Sequence, residues 1–174
     1  MTSESFRDEK EFESIKKVNV SLKVALIAIT AALYTALGYI FQPISFLGLQ
    51  FRVAELIVGM CIIFPFEGLA GKVLGVFFVN LTSPLGAIDL ISCIINIPAL
   101  YCIIIFRNRK FLKYLGGVLY SLIISIYVAT ILYVSFGLPI WLNLLYVFIS
   151  EVILATFGIF LFDIIKSRFN LDYY

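Results

Sequence analysis

The sequence predicts an all-α membrane protein of six transmembrane helices, and three observations carry that reading. Of 174 residues, 62% are hydrophobic and only 14% charged, whereas soluble domains average roughly 45–50% apolar and about 25% charged residues. Such a chain cannot cover its own surface with polar groups. The apolar residues fall into runs separated by short breaks rich in proline, glycine or charge. The basic residues concentrate at the breaks that would lie on one side of a membrane. The net charge of +2 is small and gives no support for nucleic-acid binding.

Residues 1–18 form a charged N-terminal segment expected on the cytoplasmic side. Met1 to Lys17 mixes Glu and Lys with no hydrophobic centre or small-residue cleavage site after it, so it is not a cleaved signal peptide. It reads as an amphipathic lead-in or a partly disordered tail. The first span, Val20 to Phe41, has the ~20 residues that cross a hydrocarbon core and stops at Gln42-Pro43, since proline cannot continue a helix. Ala28, Ala32 and Ala36 recur at four-residue spacing within it, joined by Ala25, Ala31 and Gly38. Such small side chains let another helix approach closely, either within this chain or from a separate protein.

Ile44 to Leu49 is an apolar connecting loop. Two short runs follow, Val53 to Phe64 and Leu69 to Leu81, divided by Pro65-Phe66-Glu67-Gly68. Each is short for a complete span, so it is expected to start or end within the bilayer or to sit where neighbours thin the barrier. Gly68, Gly71 and Gly75 continue the small-residue pattern. The fourth span, Ala87 to Phe106, contains Asn96 and Pro98, which are expected to bend it. The fifth runs from Leu115 to Phe136, Gly137-Leu138-Pro139 turns the chain, and the sixth covers Ile140 to Ile165. Residues 19–166 therefore make one six-helix domain, with a cytoplasmic tail at 167–174 and no internal repeat.

With a cytoplasmic N-terminus, the inner segments collect Arg7, Lys10, Lys16, Lys17, Lys23, Lys72, Arg107, Arg109, Lys110, Lys113, Lys166 and Arg168. Only Arg52 of the thirteen basic residues is left outside. The positive-inside rule then places both termini in the cytoplasm of a multi-pass plasma-membrane protein.

Ionisable groups inside lipid cost a few kcal/mol each on insertion scales, which makes them functional candidates. Arg52 and Glu55 open the second helix at the outer face, where i, i+3 spacing would let them pair or jointly grip a solute. Asn80 closes the third helix there, and Asp89 starts the fourth, where a helix dipole would also favour it. Asn96 lies two turns deeper on the Asp89 face. Glu151 is roughly 16 Å along the sixth helix from Ile140, with no cation near it on that helix, so it takes a partner from elsewhere or is protonated in place. Trp141, Leu144, Phe148 and Glu151 share a face, with Tyr146 nearby; taken alone, Trp141 is an aromatic-belt anchor. Carboxylates that accept from ring N–H and amino groups, beside aromatic rings that stack, suit a flat, nitrogen-rich heterocycle.

Catalytic and metal signatures are missing from the sequence. It contains no histidine, and Cys61, Cys93 and Cys102 lie in apolar runs without paired spacing, as small core hydrophobes do. In Gly68-Leu69-Ala70-Gly71-Lys72-Val73, Phe66 stands where a phosphate loop has its first glycine and Val73 where it has its hydroxyl residue. An ATPase driving transport would be another polypeptide, and no cofactor or metal is expected.

Gln50-Phe51-Arg52-Val53-Ala54-Glu55, Gly71 and Gly75 leading to Asn80, Leu85-Gly86-Ala87-Ile88-Asp89, and Pro139-Ile140-Trp141-Leu142 followed by Tyr146 and Glu151 together resemble the queuosine-precursor (QueT) transporter family. These are substrate-binding S components of energy-coupling factor (ECF) transporters, and the resemblance covers about Ala25 to Phe162. It implies an S-component bundle without enzymatic activity that captures a 7-deazaguanine base at the outer face. Arg52, Glu55, Asn80, Asp89, Asn96, Trp141, Tyr146 and Glu151 are the candidate substrate-binding residues. The resemblance also implies docking, through Ala28, Ala32 and Ala36, on a transmembrane coupling subunit that carries two ATPases. Glu67 departs from the family pattern of small or apolar residues at its turn and is given no substrate role.

Overall fold

The computed structural model describes residues 3–45, 51–169 and 171. Most of the expected Ile44 to Leu49 loop, and Gln50, lie outside the described residues. Six helical segments carry the fold: α1 (Ser3–Ile40), α2 (Val53–Ile63), α3 (Pro65–Asn80), α4 (Gly86–Phe106), α5 (Leu112–Phe136) and α6 (Ile140–Arg168), with one short turn of helix at Gln42–Ser45. No strand occurs among the described residues. Within α1, Val20–Ile40 is long and apolar enough to cross a membrane, and so are α4, α5 and α6. Large apolar side chains such as Ile94, Ile105, Val134 and Phe157 are exposed around the bundle, a surface that suits lipid and not water. The protein is a multi-pass, all-helical membrane protein.

Helix α1 runs unbroken from Ser3, so the charged N-terminal residues are continuous with the first span. The second and third helices are divided more sharply than the sequence suggests. Phe64, at φ −118° and ψ 84°, is the single non-helical residue between them, and Pro65 opens α3 at its first position, where the missing N–H has no helical partner to lose.

The short α2 is the centre of the molecule. Every residue from Ile57 to Ile63 is buried, and its first half, Val53–Gly59, is a 3-10 helix. Less regular backbone is tolerated at membrane depth where protein surrounds it, and α2 is surrounded. Val58, Cys61 and Ile62 pack with Leu100, Tyr120, Ile124 and Ile159 of α4, α5 and α6. Ala54, Ile57 and Met60 pack with Tyr34 and Val76 of α1 and α3 on its other side. The backbones of α2 and α6 nearly touch: a Cβ added at Gly59 would strike the Gly158 carbonyl, and one added at Gly158 would strike that of Leu56. This approach places Glu151, two turns earlier on α6, within range of the charge on Glu55 of α2.

The remaining helices present stripes at helical spacing. Gly116, Gly117, Tyr120, Ser121, Ile124, Ser125, Val128 and Leu132 are the buried face of α5. Val147, Ser150, Glu151, Leu154, Ala155, Gly158 and Ile159 are that of α6. As expected, Gly137 ends α5 in the left-handed region (φ 66°), donating its N–H to the Tyr133 carbonyl at 2.9 Å. Its lack of a side chain makes that conformation inexpensive. Helix α4 continues through Pro98 to Phe106.

Candidate solute site

Five helices meet around one carboxylate. Glu55, 2% exposed, holds the Lys72 ammonium of α3 at 2.8 Å through Oε2. It accepts hydrogen bonds from the Tyr34 hydroxyl of α1 at 2.7 Å and the Tyr120 hydroxyl of α5 at 2.5 Å. Lys72 is fully buried and also donates to Asn96 Oδ1 of α4 at 2.8 Å and to the Tyr120 hydroxyl. Its ammonium lies over the Tyr120 ring, 4.4 Å from the centroid, an added cation–π attraction. An ion pair taken out of water is tolerated only where further hydrogen bonds satisfy its remaining valences, and the two tyrosines and the asparagine do so here.

A second cluster continues from Asn96 along α4. Asp89, Ser92 and Asn96 share its buried stripe. Asn96 donates through Nδ2 to the Ser92 carbonyl at 2.9 Å, and Asn80 donates to the Ser92 hydroxyl at 2.6 Å and the Asp89 carbonyl at 2.9 Å. The Asp89 side chain is buried, and its Oδ2 meets no donor among the described residues. Among the acidic groups whose fields act on Arg52, Asp89 leads, ahead of Glu151 and Glu55.

Glu151 is set apart by its open valences. It is 1% exposed, and neither carboxylate oxygen has a hydrogen-bond partner among the described residues. Glu55, Arg52 and Lys72 are the charged neighbours that influence it. Lys72 is committed to Glu55, and Asp89 is the strongest acidic influence on Arg52. Glu151 is the third carboxyl in a site with two cations.

The structure thus gathers Glu55, Asn80, Asp89, Asn96 and Glu151 in the interior, with Arg52 within range of their charges. It does not bring in Trp141, which is 80% exposed, or Tyr146, which is also exposed. In the first turns of α6 Leu142 and Leu145 are exposed too, and among the described residues its buried stripe begins at Val147. Leu144 and Phe148 of the proposed aromatic wall are half-buried.

Two expectations need correction. Lys72 does not belong with the inner basic residues: α3 starts at Pro65, so Lys72 is two turns inside the helix, on the packed face of Gly68, Gly71 and Gly75. The cation that Glu55 binds is Lys72 and not Arg52. Arg52 caps the start of α2 with φ −86° and ψ 84°, its carbonyl accepting the Glu55 N–H at 2.8 Å. Glu67 faces the opposite end of α3, where its carboxylate is 4.0 Å from the Lys23 ammonium.

Sequence reasoning missed Tyr34, Lys72, Ser92 and Tyr120. The glycine spacing on α3 pointed to Lys72, and Gly116-Gly117 one turn before Tyr120 marks the same kind of packed face.

The QueT transporter family model matches residues 24–167, a stretch that includes every buried polar residue of the site. No curated protein and no solved structure gave a significant match. The α1 to α6 bundle and its buried polar centre are those of a transporter: the chain belongs to the QueT transporter family.

Proposed function

We propose that the chain is the substrate-binding S component of an ECF transporter, capturing a queuosine precursor, a 7-deazaguanine base, at the outer face of the plasma membrane for ATP-driven uptake. The observation that carries the substrate reading is the buried Glu151 carboxyl, neither of whose oxygens has a hydrogen-bond partner among the described residues. A buried carboxyl without donors costs several kcal/mol, and a ligand with two parallel donors removes that cost. The lactam N–H and exocyclic amine of a deazaguanine form such a fork and meet a carboxylate as a guanidinium does. Asp89 Oδ2 supplies another open acceptor. In this reading Lys72, Tyr34 and Tyr120 hold Glu55 as a fixed wall, and Arg52, Asn80 and Asn96 complete the polar lining. Trp141 and Tyr146 stay outside it, at the membrane boundary where aromatic side chains are favoured.

The orientation rests on the end of the bundle that carries Lys23, Arg107, Arg109, Lys110, Lys113 and Lys166. With Lys72 removed from the count, that end still holds nearly all the basic residues, which makes it the cytoplasmic one. Six crossings, with α2 short and enclosed and α3 short, follow in this reading.

Docking on a coupling subunit is supported by the face of α1 opposite its packed residues. Thr30, Ala31, Tyr34 and Gly38 are buried against the bundle, while Ala28, Ala32 and Ala36 are exposed. With Val24, Leu74 and Phe78 they border an apolar groove of about 710 Å3, wide enough for close helix packing. Vesicles holding this chain with its coupling subunit and two ATPases are expected to take up the base only with ATP. The A32W variant is expected to weaken assembly about tenfold or more, by overpacking the groove, while binding the base as wild type does. Assembly unaffected by A32W would remove the docking surface.

The same open carboxyl favours one second reading, a self-sufficient proton-coupled carrier with Glu151 as its proton site. Uptake by the chain alone under a pH gradient would select that reading, and strict ATP dependence excludes it. An S component for folate, pantothenate or a flavin is separated by direct solute binding.

A further inference from the structure

Helices α4 and α5 are joined by Arg107-Asn108-Arg109-Lys110, and the last turn of α6 lies beside this turn. Between them is a cleft of about 550 Å3, lined by Arg107, Arg109, Lys110, Lys113, Asp163 and Lys166, with Asn108 and Ser167 adding neutral polar groups. Asp163, the acidic residue lining it among the described residues, is engaged by the Lys113 ammonium at 2.5 Å. Arg107 contributes a buried Nη1 that meets no acceptor among the described residues. A buried guanidinium nitrogen without an acceptor is costly, and an oxyanion supplies the missing acceptor. The excess of cations and the forked donors of arginine match a phosphate.

The cleft lies at the ends of three helices long and apolar enough to cross a membrane. Phe111, Leu112 and Phe169 are exposed close by in the chain, Phe111 at 77% and Phe169 at 70%. A soluble anion has no use for that apolar fringe, whereas a phospholipid brings acyl chains to cover it.

We propose that this cleft binds the phosphate headgroup of an anionic membrane lipid. The site is separate from the polar centre and does not depend on which solute is carried. Arg109 and Lys110 are exposed, so removing them does not strain the fold.

Native mass spectrometry of the full chain in detergent, titrated with phosphatidylglycerol or phosphatidylcholine, tests the proposal. Phosphatidylglycerol is expected to be retained at far lower concentration. The R109A/K110A variant is expected to weaken that binding about thirtyfold, as two interfacial cations are lost, and Arg107→Gln to weaken it while the protein stays folded. Equal retention of the two lipids, or wild-type retention by R109A/K110A, would overturn the site. Displacement of phosphatidylglycerol by inorganic phosphate at equal concentration would show that it takes a free anion, and would overturn the lipid assignment.

Discussion

Replacing Glu151 with glutamine is expected to weaken binding of the deazaguanine base by about tenfold to a hundredfold, because a hydrogen bond to a charged group contributes about 1.5–3 kcal/mol. The amide keeps one acceptor but turns the other oxygen into a donor, which then opposes a donor of the ligand. Stability is expected to hold or to rise. In the unliganded protein the two Glu151 oxygens have no hydrogen-bond partner among the described residues, so the substitution breaks no bond there. Calorimetric titration and thermal denaturation of the same preparations separate the two effects. Unchanged affinity would remove Glu151 from the site, and a parallel fall in affinity and stability would make it a structural residue.

Lys72→Met is expected to destabilise the protein by about 3–5 kcal/mol, the cost of leaving one member of a buried ion pair alone. Methionine fills much of the same space, so the loss reports the charge more than the volume. Glu55 would keep the Tyr34 and Tyr120 hydroxyls but face no ammonium. Adding Glu55→Gln to the same chain is expected to recover much of the loss, because the amide needs no counter-ion. A double-mutant cycle on unfolding in mixed micelles measures the coupling. Additive effects of the two substitutions would show that the Lys72–Glu55 pair does not act as a unit.

The helices were legible because lipid imposes a simple rule: apolar runs about the length of a hydrocarbon core must be helical. The Gly137 turn and the proline boundaries at Pro43 and Pro65 were legible for the same local reasons. The buried stripe of Asp89 and Asn96 followed from seven-residue spacing, and Glu151 from its depth in α6. The centre of the site was less accessible. Lys72 was assigned to the wrong place because the start of α3 was set four residues late, at Leu69 instead of Pro65. Such a shift moves a lysine from the boundary to the interior. Tyr34 and Tyr120 are 21 and 65 residues from Glu55 in sequence, and no periodicity links positions on different helices. Trp141 was grouped with Glu151 by wheel geometry alone. A shared helical face does not say where along the helix its neighbours stop, and among the described residues the buried stripe of α6 starts at Val147.

The same limit applies to α2. Its brevity suggested a helix that starts or ends within the bilayer or sits where neighbours thin the barrier; in the structure it is enclosed by the other helices. A helix enclosed by protein has no hydrocarbon thickness to match. Its near-contact with α6 at Gly59 and Gly158 is a consequence that apolar composition does not reveal.

The most direct measurement is equilibrium binding of a 7-deazaguanine queuosine precursor to the purified chain, compared with folate, pantothenate and riboflavin under the same conditions. Saturable binding and thermal stabilisation are predicted with the deazaguanine alone, without ATP or any partner subunit. No binding of that base, or equal binding of one of the other three, would contradict the assignment.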